Sequence, residues 1–236
     1  MVLRLFGGVM STCTRRVALV LVEKKVPFEF IAVDLTKGAQ KAPSYMENQP
    51  FGQVPYIVGP LPYLRLSHAA HPPQDDDGFV LFESRAICRY IAEKYASQGT
   101  PLVPAVTDVR GRALFEQAAS IEFANHDPFA SKAVFEMLVK PMLGLPSDSA
   151  VFNALIAGLS AKLDAYEVIL GKQKYLAGDE VTLADLFHIP HASMLKMAGS
   201  DLMTTKGPNV ARWFNDITTR PAWLAVKDGC KSFPSY

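Results

Sequence analysis

Residues 11–14, STCT, set three hydroxyls and one thiol side by side: Ser11, Thr12 and Thr14 around Cys13. At the start of a helix a hydroxyl can donate to an anion and a thiol can become a nucleophile, because the N-terminal backbone N–H groups and the helix dipole favour negative charge. Two other runs carry complementary chemistry. In NQPFGQVPYI, residues 48–57, Gln53 and Val54 precede Pro55, which a strand tolerates at its start because proline cannot serve as an interior ladder donor. A cis Val54–Pro55 bond would turn the Val54 N–H and C=O outward, ready to pair in antiparallel fashion with an extended peptide. In LFESRAICRYI, residues 81–91, Glu83 and Ser84 fall where a strand turns into a helix. Their side chains and the first free N–H groups suit a ligand carrying both a carboxylate and an amine, and a plain N-cap, which Ser84 alone would satisfy, is the simpler alternative.

Other suggestive spacings have plainer readings. HIPH (His188, His191) and HAAH (His68, His71) have the i, i+3 spacing of metal ligands on a helix, but neither has a carboxylate or cysteine partner nearby. In TLAD, Thr182 and Asp185 form an N-capping box with Asp in the usual Glu position, so Asp185 is structural.

The elements that must position these groups follow from periodicity. VLRLF reads as a short buried strand, GGVM as a turn, Ser11 as the cap of a helix through TRRVALVLVEKK that breaks at Pro27, and FEFIAVDL as a second strand. A polar loop, TKGAQKAPSYMENQPFG, leads to the strands QVPYI and GFVLF and to the amphipathic helix ESRAICRYIAEKYAS, with Ile87, Tyr90, Ile91 and Tyr95 on one face. QGTPLVP is a Pro/Gly hinge. After Thr107 strand patterning gives way to long helical stretches: residues 109–138, 150–171, 182–198 and 209–226. The domain reading is therefore 1–97 mixed α/β, 98–106 linker and 107–236 all-helical.

One segment does not fit. Residues 58–74, VGPLPYLRLSHAAHPPQ, hold four prolines and two histidines with no clear period, where a hairpin needs about two to five residues. Removing them joins VPYI to DDDGFVLFES, a compact turn. The segment is either a flexible insertion or a translated intron retained in the transcript: its 17 codons keep the frame, every Val codon begins with GT, and one Gln codon ends in AG.

Composition narrows the partners. The 236 residues are 49% hydrophobic and 20% charged with net charge +1, which supplies no electrostatic pull towards nucleic acid or an anionic membrane. Cys13, Cys88 and Cys230 are too few and too scattered for a disulfide framework or a zinc site, so free thiols in the reducing cytoplasm are expected. Arg15 and Arg16 interrupt the apolar N-terminus before VALVLV, a run too short to span a bilayer.

The pieces STCTRRVALVLVEKKVPFEFIAVDLTKGAQK, NQPFGQVP, LFESRAICRYIAEKYASQGT, FEQAASIEF and GDEVTLADLFHI, in this order over nearly the whole chain, resemble the glutathione transferases, most of all their Phi class. Deleting 58–74 restores the spacing this class shows between QVP and FES. The resemblance implies a thioredoxin-like α/β N-terminal domain that binds glutathione as co-substrate, an all-α C-terminal domain that completes a pocket for soft hydrophobic electrophiles, and no metal.

Carried over residue by residue, Glu83 and Ser84 hold the γ-glutamyl end, the Val54 backbone pairs with the cysteinyl part before cis-Pro55, Gln53 supports the peptide, and Gln40 and Lys41 face the glycyl carboxylate. Ser11 aligns with the serine that donates to the glutathione thiolate. Cys13 is its rival, although Thr14 stands where the cysteine-type enzymes have proline, and two positions along a helix turn Cys13 about 200° from Ser11. Thr12 is a secondary donor and Thr14 packs. Met10, Thr12, Leu35, Phe115, Ala119 and Phe123 line the electrophile pocket, with Ala118 and Ala124 where many Phi members have Trp and His. Phe51 is the aromatic key of a homodimer.

The implied activity is conjugation of glutathione to electrophiles, as in detoxification, with a glutathione-dependent peroxidase activity towards organic hydroperoxides beside it. Two alternatives stand against it: a non-catalytic ligand carrier or interaction module of the same fold, and a Cys13-dependent thiol transferase.

Overall fold

A computed structural model describes residues 2–59 and 78–236. The chain divides into two units, Met1–Thr100 with Ala225–Tyr236, and Pro101–Leu224.

The first unit is a four-stranded sheet in the order β2-β1-β3-β4. Strand β1 (Leu3–Gly7) buries alternate residues, as a period of two requires. It is followed by helix α1 (Thr12–Glu23), whose run Val17–Leu21 is wholly buried. Strand β2 (Phe28–Ala32) pairs parallel to β1, completing the βαβ unit. Strand β3 (Tyr56–Val58) runs antiparallel to β1, and β4 (Val80–Phe82) antiparallel to β3. Helix α3 (Ser84–Lys94) packs on α1. Its buried face is centred on Ile87, Cys88, Ile91 and Ala92, while Tyr90 and Tyr95 are only half-buried.

Three readings of this half change. The polar loop before β3 contains two short 3-10 turns, Leu35–Lys37 and Ala39–Lys41, and helix α2 (Pro43–Met46), each too short to show a helical period in sequence. Val58 belongs to β3 opposite Val80, and the Gly59 N–H donates to the Phe79 carbonyl at 2.9 Å, so the first two residues of the odd segment continue the hairpin. The remainder, residues 60–74, with the intron question and His68 and His71, lies outside the described residues. Finally, residues Ala225–Tyr236, read as part of the helical domain, group with the first unit: Phe28 and Phe233 exchange backbone hydrogen bonds of 2.8 and 3.0 Å at the outer edge of β2.

The second unit is helical. Helix α4 (Val109–Ile121) runs on through a π-helical turn (Glu122–His126), α5 (Asp127–Val134), a second π-turn (Phe135–Val139) and α6 (Lys140–Met142). Each π-turn ends two residues before a proline, Pro128 or Pro141, whose ring cannot accept the carbonyl one α-turn back; widening the turn lets the helix continue. Helices α7 (Ser149–Leu170), α8 (Leu183–Leu195), α9 (Leu202–Thr205), α10 (Pro208–Thr218) and α11 (Pro221–Val226) follow. The single stretch expected over 209–226 is broken at Thr219–Arg220, because Pro221 has no N–H to continue the ladder. Among the described residues no helix is long and apolar enough to cross a membrane.

Candidate functional site

The sheet register brings the separated motifs to one end of the first unit. Phe6 lies opposite Tyr56, Tyr56 opposite Phe82, and Gly7 opposite Ala32. The Phe6 and Tyr56 rings stack 4.6 Å apart, fixing this row. The turn to Ser11, the segment holding Leu35 to Lys41, the residues Gln53–Pro55 that enter β3, and the pair Glu83–Ser84 that leaves β4 therefore all emerge from the same edge.

Ser11 is the N-cap of α1. Its Oγ accepts the Thr14 N–H at 3.3 Å, its carbonyl accepts the Arg15 N–H at 2.9 Å, and its own N–H donates to Gly8 at 3.1 Å. The cap uses a lone pair of the hydroxyl and leaves its proton without an acceptor among the described residues. Capping and donation to a ligand are thus compatible in one half-buried side chain. A methyl placed on Gly8 would lie 2.8 Å from Leu35 Cδ1 and 3.4 Å from Ser11 Cβ, so Leu35 covers the turn beside the hydroxyl. Met10 and Thr12 flank Ser11, Met10 being exposed and Thr12 half-buried. Thr14 is fully buried, and its Oγ1 has no hydrogen-bond partner among the described residues.

The Val54–Pro55 peptide is cis, and Val54 makes no hydrogen bond within the described residues, so its N–H and C=O remain for an extended ligand. Either side of it is fixed: the Gln53 N–H donates to Gln49 Oε1 at 3.1 Å and the Gln53 carbonyl accepts the Tyr45 hydroxyl at 2.8 Å. Burial pushes the Tyr45 phenol well above its ordinary value, so it stays protonated and serves as a donor. Lys41 Nζ donates to the Phe51 carbonyl at 3.0 Å, and Gln40 Oε1 is buried without a partner among the described residues. Phe51 projects into solvent, 63% exposed, with its ring edge-on to Phe82 at 6.1 Å.

At the head of α3 the N-cap is Glu83, and Ser84 is already the first helical residue, which corrects the reading of Ser84 as a plain cap. Glu83 holds φ +70°, a left-handed conformation unusual outside glycine and a strain that clusters at ligand sites. Its carboxylate is exposed while Ser84 is buried.

Ser84 is held by a residue the sequence reading passed over. Arg16 is fully buried, and its Nη1 donates to Ser84 Oγ at 2.9 Å and lies 3.5 Å from Cys13 Sγ. Cys13 therefore points along α1 towards the guanidinium and Ser84. Two consecutive arginines heading an otherwise apolar helix were the available signal. Ser84 accepts from Arg16 and keeps its own proton to donate. The unpaired Val54 peptide, the Glu83 carboxylate and the Ser84 hydroxyl thus set a backbone N–H and C=O, an anionic acceptor and a hydroxyl donor along one edge of the sheet. Among the described residues no group of three or more His, Cys, Asp or Glu could hold a metal ion.

In the second unit Phe115, Ala119 and Phe123 share one face at four-residue spacing; the first two are buried and Phe123 is 63% exposed. Two cavities of about 210 and 340 Å³ lie in this unit, lined between Ala192 and Thr218 and between Ile121 and Ile169, and neither includes those three residues. Ala118 is fully buried and Ala124 exposed. Asp185 is also fully buried and accepts from the Leu176 N–H, the Trp213 indole and both the N–H and hydroxyl of Thr182, at 2.9 to 3.1 Å.

Similarity to known proteins extends over nearly the whole chain. Residues 1–93 match the family model of the glutathione S-transferase N-terminal domain, and residues 126–221 that of the C-terminal domain. The chain is 42% identical to glutathione S-transferase hmp2 of Hypomyces subiculosus over 95% of its own length and 97% of the relative's. The crystal structure of glutathione transferase F7 from Populus trichocarpa superposes with a TM-score of 0.84 at 36% identity, covering 95% of this chain and 97% of the other. Glutathione S-transferase I from Mais, solved with an atrazine glutathione conjugate, gives a TM-score of 0.81 at 29% identity over 96% and 97% of the two chains.

Proposed function

The chain belongs to the Phi-class glutathione S-transferases and is a glutathione transferase, and from that premise we propose that Ser11 is the group that activates the glutathione thiol. A cysteine-type thiol has a reference pKa near ~8.5 and is mostly protonated at neutral pH; lowering it by about 2 units takes roughly 2.7 kcal/mol of preferential stabilisation of the anion. The Ser11 O–H can supply a charge-assisted hydrogen bond to the sulfur, and the first turn of α1 adds its dipole. The observation that carries this reading is the hydroxyl's division of labour: its oxygen caps the helix through Thr14 and its proton is left over. Ser11 then acts as donor, and the thiolate of glutathione as nucleophile.

Around it, Val54 pairs with the cysteinyl backbone, Glu83 and Ser84 bind the γ-glutamyl end, Gln53 supports the peptide, and Gln40 and Lys41 lie towards the glycyl carboxylate. Met10, Thr12 and Leu35, beside Ser11, offer surface to aromatic or lipid-derived electrophiles, a class consistent with the atrazine glutathione conjugate held by the Mais relative. Organic hydroperoxides are a second substrate class for the same thiolate. The exposed Phe51 serves as the aromatic key of a homodimer in the cytoplasm.

Turnover of an electrophilic aromatic substrate by wild type and Ser11→Ala, followed against pH, tests the central assignment. The wild type is expected to keep a low thiol pKa that Ser11→Ala raises. Disulfide reduction that survives Ser11→Ala and vanishes in Cys13→Ser would instead make Cys13 the working group, and glutathione binding without any turnover would make the chain a carrier.

A further inference from the structure

The C-terminal residues of the first unit grip both sides of Ser11. Upstream of it, the Cys230 N–H donates to the Val9 carbonyl at 2.9 Å. Gly229, at φ +137°, passes so close that a Cβ there would lie 3.0 Å from Val9 Cγ1 and 3.7 Å from Met10 Sδ, in a conformation that L side chains rarely adopt. Downstream, the Arg15 side chain, 3% exposed, donates through Nη1 to the Lys227 carbonyl at 2.7 Å, while the Arg15 N–H donates to the Ser11 carbonyl at 2.9 Å. The far end of the segment is anchored independently of the site. Phe233 pairs with Phe28 through two backbone bonds and ring stacking at 5.6 Å, and Ser232 Oγ accepts the Phe30 N–H at 2.9 Å.

We propose that Lys227–Phe233 is a positioning strap for the known reaction: anchored on β2, it fixes Val9–Met10 on one side of Ser11 and Arg15 on the other, and so sets the hydroxyl against the glutathione sulfur. This rests on the assignment of Ser11 as thiolate donor. The physical need is geometric. The residues Gly8–Ser11 lie outside the regular ladder, and a charge-assisted hydrogen bond contributes only when its donor is held close to the working distance and direction. Among the described residues the strap makes no hydrogen bond to Val54, Glu83 or Ser84, so loosening it should weaken activation of the thiol and leave tripeptide binding intact.

The pH dependence of kcat/KM and the KM for glutathione, measured on the full chain as Gly229→Ala, Arg15→Lys, Ser11→Ala and the two double variants with Ser11→Ala, test this. Gly229→Ala pushes on Val9, and Arg15→Lys withdraws the guanidinium without touching the backbone of the tail, so the second carries the test if the first fails to fold. Each single strap variant is expected to raise the pKa of the bound thiol by about half to one unit, a roughly three- to tenfold loss of kcat/KM below that pKa, with the glutathione KM changed less than about twofold. In the Ser11→Ala background neither should move the profile further, since both act through one hydroxyl. A rise in Ser11→Ala with no rise in the strap variants, or equal rises with and without Ser11, would overturn the strap alone. An unmoved profile in Ser11→Ala would overturn the donor assignment and the strap with it.

Discussion

Two helices of this chain begin on a capping hydroxyl and use it in opposite ways. At the head of α8, Thr182 gives its N–H and its hydroxyl proton to Asp185 Oδ2 at 2.9 and 3.1 Å, while the other carboxylate oxygen takes the Trp213 indole and the Leu176 N–H. Every group in that box is consumed inside the second unit. At the head of α1, Ser11 accepts one N–H from Thr14 and stays half-buried with its proton to spare. Residue type and helix position are nearly the same in both. What separates the two caps is whether the hydroxyl donor is already satisfied, and this depends on partners distant in sequence.

The sharpest break of this comparison would come from Asp185. Burial raises its carboxyl pKa despite four hydrogen bonds, and removing it orphans the Trp213 indole and two backbone N–H groups. Asp185→Ala is expected to destabilise the protein by about 3–5 kcal/mol, measured by urea unfolding, because a buried, fully paired group leaves uncompensated partners behind. Its folded fraction should keep the wild-type pH profile of kcat/KM. A shifted profile with unchanged stability would erase the distinction between the two caps.

Ser11→Ala should show the reverse pattern. Losing the cap costs about 1 kcal/mol of stability, whereas losing the donor is expected to lower kcat/KM about a hundredfold at pH 6.5, the rate equivalent of roughly 2.7 kcal/mol. Ser11→Thr, which keeps both functions, should recover a large part of the rate. An Ala variant that loses stability and rate only in proportion would reduce Ser11 to an ordinary cap.

The same contrast explains how far the sequence could be read. Period-two and helical patterns carried the βαβ-ββα order, the helical half and the capping box, because these are local and repeat within a few residues. The ends of Gln53–Pro55 and Glu83–Ser84 were legible through their proline and their strand-to-helix position. The left-handed Glu83 was not, since a positive φ at a charged residue leaves no mark on composition. Arg16 was missed because a buried arginine looks like a solvated one until Ser84, far along the chain, is seen on its guanidinium. The tail was assigned by its helical neighbours, although its partners, Val9, Phe28 and Phe30, lie at the other end of the sequence.

Arg16 sharpens the comparison within the first unit, where the proposed assignment gives holding a ligand and activating it to different residues. Arg16→Lys keeps a positive charge but loses the planar donor that fixes Ser84 Oγ. The expected result is a rise of roughly tenfold in the glutathione KM, the scale of about 1.4 kcal/mol for a hydrogen bond to a charged donor, with the thiol pKa unmoved. Steady-state kinetics with glutathione varied at several pH values separates the two parameters. A shifted thiol pKa would place Arg16 with Ser11 in activation.

The interior of the second unit also holds an unsatisfied histidine, and it yields the smallest effect. His188 is fully used: the Ala184 carbonyl can only accept, so Nδ1 carries the proton, at 2.8 Å, and Nε2 takes the Tyr166 hydroxyl at 3.0 Å. His126, its ring tilted against that of His188 with centroids 4.6 Å apart and wholly buried in the π-turn, has neither nitrogen bonded among the described residues. Burial, then the neighbouring His188, hold its pKa well below the usual 6.5, against the opposing pull of Glu122 and Asp127 and with His191 acting in the same direction as His188. The folded protein therefore binds fewer protons here than the unfolded chain, so unfolding takes up a proton as pH drops below about 6.5, and stability present above that value is lost beneath it. One such histidine contributes up to about 1.4 kcal/mol of loss between pH 7.5 and 5.5. His126→Met, apolar and of similar size, should shrink the difference between urea midpoints at those two pH values while leaving the pH 7.5 stability nearly unchanged or slightly higher, since it removes two unpaired buried nitrogens. An undiminished pH dependence in that variant would place the acid sensitivity outside His126.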